Sequence, residues 1–221
     1  MRKEERILFV TVTEVEAPLF LPESDEPRSP GVHLSSIIRR IAIQEGILTT
    51  DEEESMGLLS DHREITDPVA ILRISIGLAW EQYYIPRILG PALDVIDHPG
   101  EMLVDGIYMT PDGESVGIVH VEKRGKKRHD SIVHEIKATY KTARKDIRKQ
   151  WMWIAQMRSY CRAKGTCHAM LHVLFLCGDY GRPIKPMLRT YAFEFTQDEL
   201  DTTWDLMLEC KRMEDGATEE L

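Results

Sequence analysis

The sequence of 221 residues lacks the features of membrane proteins and of secreted proteins. No apolar run approaches the roughly 18 residues that a membrane-spanning helix needs. The N-terminal stretch MRKEERILFVTVTEVEAP has acidic residues on both sides of its apolar run and no small-residue cleavage site, which favours a first strand over a signal peptide. We therefore expect a cytoplasmic protein that has no membrane partner.

Cysteine is scarce, and no two cysteines form a CxxC pair. The four are Cys161, Cys167, Cys177 and Cys210. In an intracellular protein such residues are reduced thiols by default. A metal site built from Cys167, His168 and His172 is conceivable, but two histidines four apart on a strand are ordinary neighbours on one face, so we do not favour it.

A GxxxxGK[ST] helicase motif and internal repeats are also missing. The length suits one sizeable α/β domain and not two. We expect a single domain with a strand and helix extension over residues 1–67, a core over 68–195, and a C-terminal helix and acidic tail over 196–221.

The net charge of −9 disfavours DNA binding by the whole surface, but the charges are segregated along the chain. Eleven basic residues and only three acidic ones lie between positions 123 and 149. Such a region can hold a polyanion locally, although a solvated hairpin tip and helix face explain the charges equally well. The candidate DNA-binding residues are Lys126, Lys127, Arg128, Lys141, Arg144, Lys145, Arg148 and Lys149.

Hydrophobic patterning predicts a mixed α/β (α+β) fold in the order helix, three strands, helix, strand. A helix is expected over residues 68–89, and a second over 142–164. The first two strands are EMLVDGIYMT and ESVGIVHVE, joined by the turn PDG, and the third is DSIVHEIKATY. The strands HAMLHVLFLCG and MLRTYAFEF follow, and Thr196 with Glu199 forms a capping box that begins the last helix.

The third strand carries Glu135 and Lys137 on one face, because side chains two apart on a strand point the same way. A buried carboxylate and ammonium need partners, although an exposed ion pair is the simpler alternative. Asp105, in VDG, lies on a strand that we expect to share a meander with Glu135, although an Asp-Gly turn competes with this interpretation. Both carboxylates, with the Ile136 carbonyl, would suit Mg²⁺ or Mn²⁺.

Two predicted helices contribute further polar side chains. Gly77 and Glu81 are four residues apart on the first helix, where the glycine would allow close approach to the sheet. The second helix carries a stripe that is too polar for a core and too aromatic for plain solvent exposure, which favours a nucleic-acid surface. Its members are Lys149, Trp153, Gln156 and Tyr160.

In this order the motifs resemble those of the PD-(D/E)XK nuclease superfamily, in its RecB-like and lambda-exonuclease-like (phage-type) branch. The matching segments are GLAWE (77–81), VDG (104–106), EIK (135–137) and QMRSY (156–160). The resemblance implies a restriction-endonuclease-like core, a central mixed sheet flanked by helices in the order α-β-β-β-α-β. Relatives with an iron–sulfur cluster place a cysteine before the core; none precedes Cys161, so we expect no cluster.

The resemblance also implies roles for individual residues. The implied metal ligands are Glu81, Asp105, Glu135 and the backbone carbonyl of Ile136. The implied catalytic residues are Asp105, Glu135 and Lys137. Lys137 would position or deprotonate the attacking water, or stabilise charge on the phosphate, and Gln156 and Tyr160 would orient the DNA and the surroundings of Lys137.

The expected function is that of a Mg²⁺- or Mn²⁺-dependent deoxyribonuclease, with an exonuclease that acts on DNA ends in recombination, repair or phage DNA processing favoured. The alternatives are a structure-specific endonuclease or nickase on the same core, and a non-catalytic nucleic-acid-binding subunit. A homo-oligomer and a recombination-protein partner both stay open. The hypothesis depends on the carboxyl groups at positions 105 and 135 meeting around one ion.

Overall fold

The computed structural model describes three stretches of the chain. The backbone is described for residues 29–48, 68–121 and 126–218, and the side chains of these residues are described except at 68, 118–128 and 214–218. The predicted first strand, RILFVTVTE, lies outside the described residues. Within them, no helix is both long and apolar enough to cross a membrane.

The described residues form five α-helices and eight strands. The helices are α1 (Leu34–Gln44), α2 (Pro68–Tyr84), α3 (Gly90–Leu93), α4 (Trp151–Lys164) and α5 (Gln197–Thr218). A π-helical turn, Ile85–Leu89, joins α2 to α3, and a 3-10 turn, Ile147–Lys149, precedes α4. The strands are β1 (Val32–His33), β2 (Ile96–Asp97), β3 (Met102–Val104), β4 (Ile107–Met109), β5 (Gly113–Val121), β6 (Lys126–Thr139), β7 (His168–Phe175) and β8 (Met187–Glu194).

The strands form two sheets. The larger has the order β2-β5-β6-β7-β8, in which only the β6–β7 pair is parallel. Helix α4 connects these two strands, because parallel neighbours require a crossover. The smaller sheet has the order β1-β4-β3. This mixed α/β architecture confirms the predicted fold class.

Strand β6 lies between two clusters of buried residues, because its side chains alternate between the two faces of the sheet and both faces are covered. Val133 belongs to the main core, which also receives side chains from α1, α4, α5 and β7. Ile136 belongs to a second cluster with Tyr84, Ile85 and Leu89, at the end of α2 and in the π-helical turn. Glu135 and Lys137 therefore lie on the same face as Val133, below α4, while α2 covers the opposite face.

A buried chain of hydrogen bonds crosses the large sheet below Ile136. His134 joins Ser115 at 2.8 Å and His172 at 3.0 Å, and His172 joins Thr190 at 3.0 Å. Burial lowers the pKa of His134 to about 4 and that of His172 to about 3. Four strands are thus linked side by side by neutral imidazoles whose ring nitrogens are paired.

Two predicted elements differ from the structure. EMLVDGIYMT is not one strand: it is the β3–β4 hairpin, which turns at Asp105 and Gly106 and belongs to the smaller sheet. The second long helix begins at Trp151 and not at position 142. Asp146 explains this difference, because its side chain accepts the backbone N–H of Arg148 and caps a separate 3-10 turn.

The predicted capping box is confirmed at the start of α5. The backbone N–H of Thr196 donates to Glu199 Oε2 at 2.9 Å, and the backbone N–H of Glu199 donates to Thr196 Oγ1 at 3.2 Å. Reciprocal bonds of this kind satisfy two backbone donors that a helix start leaves without partners.

Candidate active site

A buried ion pair lies at the centre of the candidate site. The Glu135 side chain is fully buried, whereas that of Lys137 is 25% exposed, and the Lys137 ammonium contacts Glu135 Oε1. Strand β6 places both on one face, as the spacing predicts. Glu135 Oε2 has no hydrogen-bond donor among the described residues. A carboxylate oxygen in this position lacks the partner that burial ordinarily demands.

Asp112 supplies the second carboxylate of the site. It stands one residue before β5, whose Gly113 pairs with His134 of β6. Antiparallel pairing therefore brings position 112 opposite position 135. Asp112 Oδ2 accepts the backbone N–H of Ile136 at 2.7 Å, so the side chain is fixed at the edge where β6 parts from β5.

Gly113 permits this arrangement because a side chain there would collide with its surroundings. A Cβ atom at this position would lie 2.8 Å from Val95 Cγ1 and 3.4 Å from His134 Cβ. Glycine is thus required by close packing at the start of β5. The backbone of Asp112 is held in turn by His98, whose N–H donates to the Asp112 carbonyl at 3.2 Å.

Glu81 reaches the same region from α2. Its Oε1 lies 3.1 Å from His98 Nε2, and its side chain is 21% exposed. The charges of Asp112 and Lys137 both act on Glu81. Gly77 and Glu81 share α2 as expected, but a Cβ atom at Gly77 would meet nothing within 4 Å, so the predicted close approach at this glycine is wrong.

Burial raises the pKa of all three carboxyl groups, and the Asp112 charge raises the pKa of Glu135 and Glu81 further. Burial and the Asp112 carboxylate raise the pKa of Glu135 to about 8, against the opposing charge of Lys137. Burial and the Asp112 carboxylate likewise raise the pKa of Glu81 to about 7. Burial also raises the pKa of Asp112, against Lys137. Mutual repulsion of this kind is relieved by a bound cation.

Lys137 is held in its charged form. Burial disfavours the ammonium, but the carboxylates of Glu135 and Asp112 outweigh that cost and raise the pKa of Lys137. The Lys137 ammonium and the carboxylates of Glu81, Asp112 and Glu135 therefore form one group of interacting charges.

Gln156 and Tyr160 support the site from α4. Gln156 Nε2 donates to the Tyr160 hydroxyl at 2.8 Å, and Tyr160 is only 4% exposed. Burial and the charges of Glu135 and Asp112 raise the pKa of Tyr160, so its hydroxyl stays protonated beside the acids. Tyr160 therefore lies close enough to these acids for their charges to act on it, while the predicted roles of Gln156 and Tyr160 in orienting DNA and the surroundings of Lys137 stay predictions.

The donor set fits a hard divalent cation. The oxygen of Glu135 without a hydrogen-bond donor, the Asp112 carboxylate and Glu81 are the hard ligands that Mg²⁺ and Mn²⁺ prefer. Because the N–H and C=O of one strand residue point to the same side, the Ile136 carbonyl faces the Asp112 edge as well. In the described residues, no group of three His, Cys, Asp or Glu side chains is placed so that it could hold a metal ion. The oxygen atoms are thus of the right chemical type for such an ion, but with Lys137 in contact with Glu135 they do not form a finished ion site.

Solved structures share this architecture. A phage-related exonuclease from Haemophilus somnus 129PT aligns with a TM-score of 0.50 at 12% identity, over 86% of this chain and 96% of that chain. SSO0001 aligns with a TM-score of 0.45 at 16% identity, over 86% and 79%. The alkaline exonuclease LHK-Exo of Laribacter hongkongensis, in complex with dAMP, aligns with a TM-score of 0.41 at 14% identity, over 86% and 95%. No family model and no curated protein matches this sequence.

The chain shares the fold of the phage-related exonuclease from Haemophilus somnus 129PT. This confirms the resemblance that the motifs indicated. The likeness establishes the fold and leaves the chemistry to be argued from the side chains of the site.

The fold places Asp105 in a turn of the smaller sheet and not beside Glu135, which corrects the predicted metal ligand and catalytic acid. Asp105 lies in the β3–β4 turn at a φ of 51°, and its Oδ2 accepts the indole N–H of Trp204 at 2.9 Å. This turn belongs to the smaller sheet, whereas Glu135 belongs to the larger one. Asp112 is the aspartate whose charge acts on Glu135, and it is bonded to the neighbouring backbone of Ile136.

Sequence reasoning missed Asp112 because PDG was interpreted only as a turn. The available signal was its position: Asp112 immediately precedes the strand that pairs with the strand of Glu135. Asp-Gly is ambiguous between a turn and a strand start, and only the strand pairing decides between them.

The predicted basic surface is only partly formed as expected. Lys126, Lys127 and Arg128 belong to strand β6 and not to a loop, and their side chains lie outside the described part. Lys141 donates to Gln150 at 2.7 Å and lies 5.2 Å from the Trp153 ring centre.

The remaining basic candidates precede α4. Arg144 pairs with Asp179 at 3.2 Å and Arg148 with Asp146 at 2.9 Å, in exposed ion pairs that contribute little to stability. Lys145 and Lys149 are exposed. Because Lys149 lies in the 3-10 turn, the continuous helical stripe from Lys149 to Tyr160 is wrong.

The conceivable Cys/His site is not assembled either. His172 is engaged in the buried network with His134 and Thr190, and His168 Nδ1 lies 3.3 Å from Asp130 Oδ2. These histidines therefore serve the packing of the large sheet.

Proposed function

We propose that the protein is a divalent-metal-dependent DNA nuclease that removes nucleotides from DNA ends. One observation carries the proposal: Glu135 is fully buried with an oxygen that lacks a hydrogen-bond donor in the described residues, beside Asp112 and the Lys137 ammonium. The fold shared with a phage-related exonuclease supports the choice of an exonuclease.

Four groups would hold the ion: the carboxylates of Glu81, Asp112 and Glu135 and the carbonyl of Ile136. A divalent ion in this position lowers the pKa of a bound water and neutralises charge on the scissile phosphate. Ile136 links two of these groups directly, since its N–H donates to Asp112. The same hydrogen bond orients the carboxylate before any ion binds.

Lys137 is the residue best suited to the developing negative charge. Its pKa is raised against the cost of burial, so it acts as a cation that orients water and stabilises the phosphate oxygens, and not as a base. Its side chain is 25% exposed, which leaves it accessible to a ligand from solvent.

The surrounding residues keep this lysine in place and draw DNA to the site. Tyr160, fixed by Gln156, lies below the acids and limits how far they can move. The exposed Lys145 and Lys149 would contact phosphates, since nucleic-acid affinity depends mainly on such contacts.

The proposal is tested by a digestion time course with three substrates: end-labelled linear duplex, linear single-stranded DNA and closed circular duplex. We expect Mg²⁺ or Mn²⁺ to support release of nucleotides from linear DNA, EDTA to stop it, and Glu135→Gln to abolish it. The circle should stay intact because an exonuclease needs an end.

Two outcomes count against the proposal in different ways. Cleavage of the closed circle would replace the exonuclease by an endonuclease on the same core. Binding of DNA without cleavage of any substrate in either metal would favour a non-catalytic binding subunit.

A further inference from the structure

The end of strand β6 is a free edge that leads away from the buried ion pair. Strand β5 pairs with β6 only as far as His134, whereas β7 pairs with it up to Thr139. Within the described ranges, residues 135–139 therefore have a neighbouring strand on one side only. Tyr140 follows this edge, and the reach of an extended chain places its Cα atom at most about 11 Å from that of Lys137.

Two tyrosines are exposed where this edge ends. Tyr140 is 38% exposed, and Tyr180, in the loop after β7, is 53% exposed. The Tyr180 hydroxyl donates to the Tyr140 carbonyl. Tyr180 has a φ of 60°, a conformation that is uncommon for a residue with a side chain. Its ring is therefore held beside the end of β6 while it stays accessible from solvent.

Backbone hydrogen bonds join the chain after β6 to the loop that carries Tyr180. The N–H of Leu176 donates to the Thr139 carbonyl at 2.9 Å, and the N–H of Ala143 donates to the Gly178 carbonyl at 2.9 Å. The two tyrosines thus belong to one supported surface at the end of the large sheet.

A fixed cation lies next to the tyrosines. The Lys141 ammonium donates to Gln150 Oε1 at 2.7 Å and lies 5.2 Å from the centre of the Trp153 ring. Gln150 directly precedes α4, and Trp153 lies in its first turn. These contacts hold the charge of Lys141 close to the start of α4, at the surface that Tyr140 also faces along the chain.

Exposed aromatic rings beside cations are the features with which proteins bind single-stranded nucleic acid. Aromatic rings stack on the faces of unpaired bases, whereas the bases inside a duplex are already stacked on one another. Cations contact phosphates and carry little information about the bases. Tyr140 and Tyr180 therefore favour a strand with unpaired bases, and Lys141 adds a phosphate contact.

We propose that Tyr140 and Tyr180 form a stacking surface for unpaired bases of the DNA strand that reaches Lys137, so that the preferred substrate is a single-stranded DNA end. The inference rests on the proposed function and names its substrate class. The span of about 11 Å between Lys137 and Tyr140 corresponds to about three stacked nucleotides at about 3.4 Å each. The stacked bases therefore belong to nucleotides near the scissile phosphate.

The competing explanation is that Tyr180 serves only to hold its loop through the hydroxyl. Tyr180→Phe separates the two explanations, because it keeps the ring and removes the hydrogen bond with the Tyr140 carbonyl. Tyr180→Ala removes both the ring and the hydrogen bond. Tyr83→Ala is the matched control, since Tyr83 lies on α2 and is 55% exposed.

The test measures DNA binding by the full chain in EDTA, so that no strand is cleaved. Fluorescence anisotropy at one fixed salt concentration gives dissociation constants for three labelled DNAs of about 12 nucleotides in length. These are a single strand with bases, an abasic strand with the same number of phosphates, and a blunt duplex. The proteins are the wild type, Tyr180→Ala, Tyr180→Phe, Tyr140→Ala and Tyr83→Ala.

We expect the wild type to bind the strand with bases at least about fivefold more tightly than the abasic strand or the blunt duplex. Tyr180→Ala and Tyr140→Ala should each lose about fivefold of the affinity for the strand with bases and keep the wild-type affinity for the abasic strand. Tyr180→Phe and Tyr83→Ala should stay within about twofold of the wild type on all three DNAs.

A loss in Tyr180→Phe as large as that in Tyr180→Ala overturns the inference, as does equal binding of the strands with and without bases by the wild type. Tighter binding of the blunt duplex overturns the substrate class. All these results leave the proposed function intact, because DNA is still bound. Failure to bind any of the three DNAs, repeated with Glu135→Gln in Mg²⁺, overturns the proposed DNA substrate as well.

Discussion

Two Asp-Gly pairs, seven residues apart, have opposite places in this molecule. Asp105 and Gly106 form the turn of a short hairpin, where Asp105 is exposed and bonded to Trp204. Asp112 and Gly113 begin a strand of the large sheet, where Asp112 is partly buried and bonded to the backbone of Ile136. The same dipeptide is structural in one region and belongs to the candidate site in the other.

The two glycines show the same division. Gly106 has a φ of 75°, a conformation that residues with a side chain rarely adopt. Gly113 is required by space, since a Cβ atom would lie 2.8 Å from Val95. The position of each aspartate therefore depends on the strand that follows it: β4, after Asp105, belongs to the smaller sheet, whereas β5, after Asp112, pairs with the strand of Glu135.

The largest expected effect is on DNA cleavage, when a lysine of the candidate site is replaced and compared with a lysine beside the hairpin turn. Lys137→Met should reduce DNA cleavage by about 10²–10³-fold, because it removes the cation that faces the developing charge. Lys211→Met, beside Gly106, should stay within about twofold of the wild type, since Lys211 packs on the hairpin turn. Initial rates in Mg²⁺ and in Mn²⁺ measure both, with circular dichroism to verify folding. A similar loss of cleavage rate in both variants would show that the site around Glu135 is no more important for activity than the hairpin.

Alanine at the two glycines should sharpen the contrast. Gly113→Ala forces Val95 or β5 to shift, which we expect to cost about 1–3 kcal/mol of unfolding free energy and to reduce cleavage by displacing Asp112. Gly106→Ala should cost about 1 kcal/mol through its positive φ and leave cleavage unchanged. Urea unfolding and cleavage rates test the pair. Unchanged cleavage in a folded Gly113→Ala protein would argue against tight positioning of Asp112.

The pH dependence of stability should originate in the site and not in the hairpin. Glu135 has a pKa of about 8 when folded against an ordinary 4.5, and Glu81 about 7. Each binds more protons folded than unfolded, so the unfolding free energy of the metal-free protein should fall as pH rises from about 4.5 to about 8. A loss of about 1 kcal/mol would lower Tm by about 2–4 °C.

Buried histidines act in the opposite direction at lower pH. His134 and His172 have depressed pKa values of about 4 and 3, so stability should also fall as pH drops below 6.5. Tm measured from pH 4 to 9 should therefore be highest between about pH 4.5 and 6.5 and should fall through neutrality, and Mn²⁺ should flatten the alkaline side. Asp112→Asn should reduce the alkaline decline, whereas Asp105→Asn should leave it intact. An alkaline decline that is the same in both variants would place its origin elsewhere.

The smallest effect concerns the hairpin alone. Trp204→Phe removes the indole N–H that Asp105 accepts, which should cost about 1 kcal/mol of stability. Cleavage should not change, because the bond joins the β3–β4 turn to α5 and involves no residue of the large sheet. A strong loss of activity would mean that the turn, and not only β5, supports the site.

Local patterns predicted much of this fold. Alternation of apolar residues located β5 to β8, the capping box located the start of α5, and the two-residue spacing placed Glu135 and Lys137 on one face. Each of these depends on neighbours within a few residues of each other.

The errors share a different physical origin. The choice between Asp105 and Asp112 depends on the pairing of Gly113 with His134, which lie 21 positions apart in sequence. The hairpin was mistaken for a strand of the main sheet because its pairing of β4 with β1 joins distant segments. The start of α4 depends on a side-chain cap from Asp146 that competes with continuation of the helix.

Calorimetric titration of Mn²⁺ into Asp112→Asn and Asp105→Asn tests the central claim most directly, because it measures ion binding without DNA or turnover. We expect Asp105→Asn to bind Mn²⁺ with the affinity of the wild type and Asp112→Asn to lose most of this affinity. Wild-type binding by Asp112→Asn, together with loss of binding by Asp105→Asn, would contradict it.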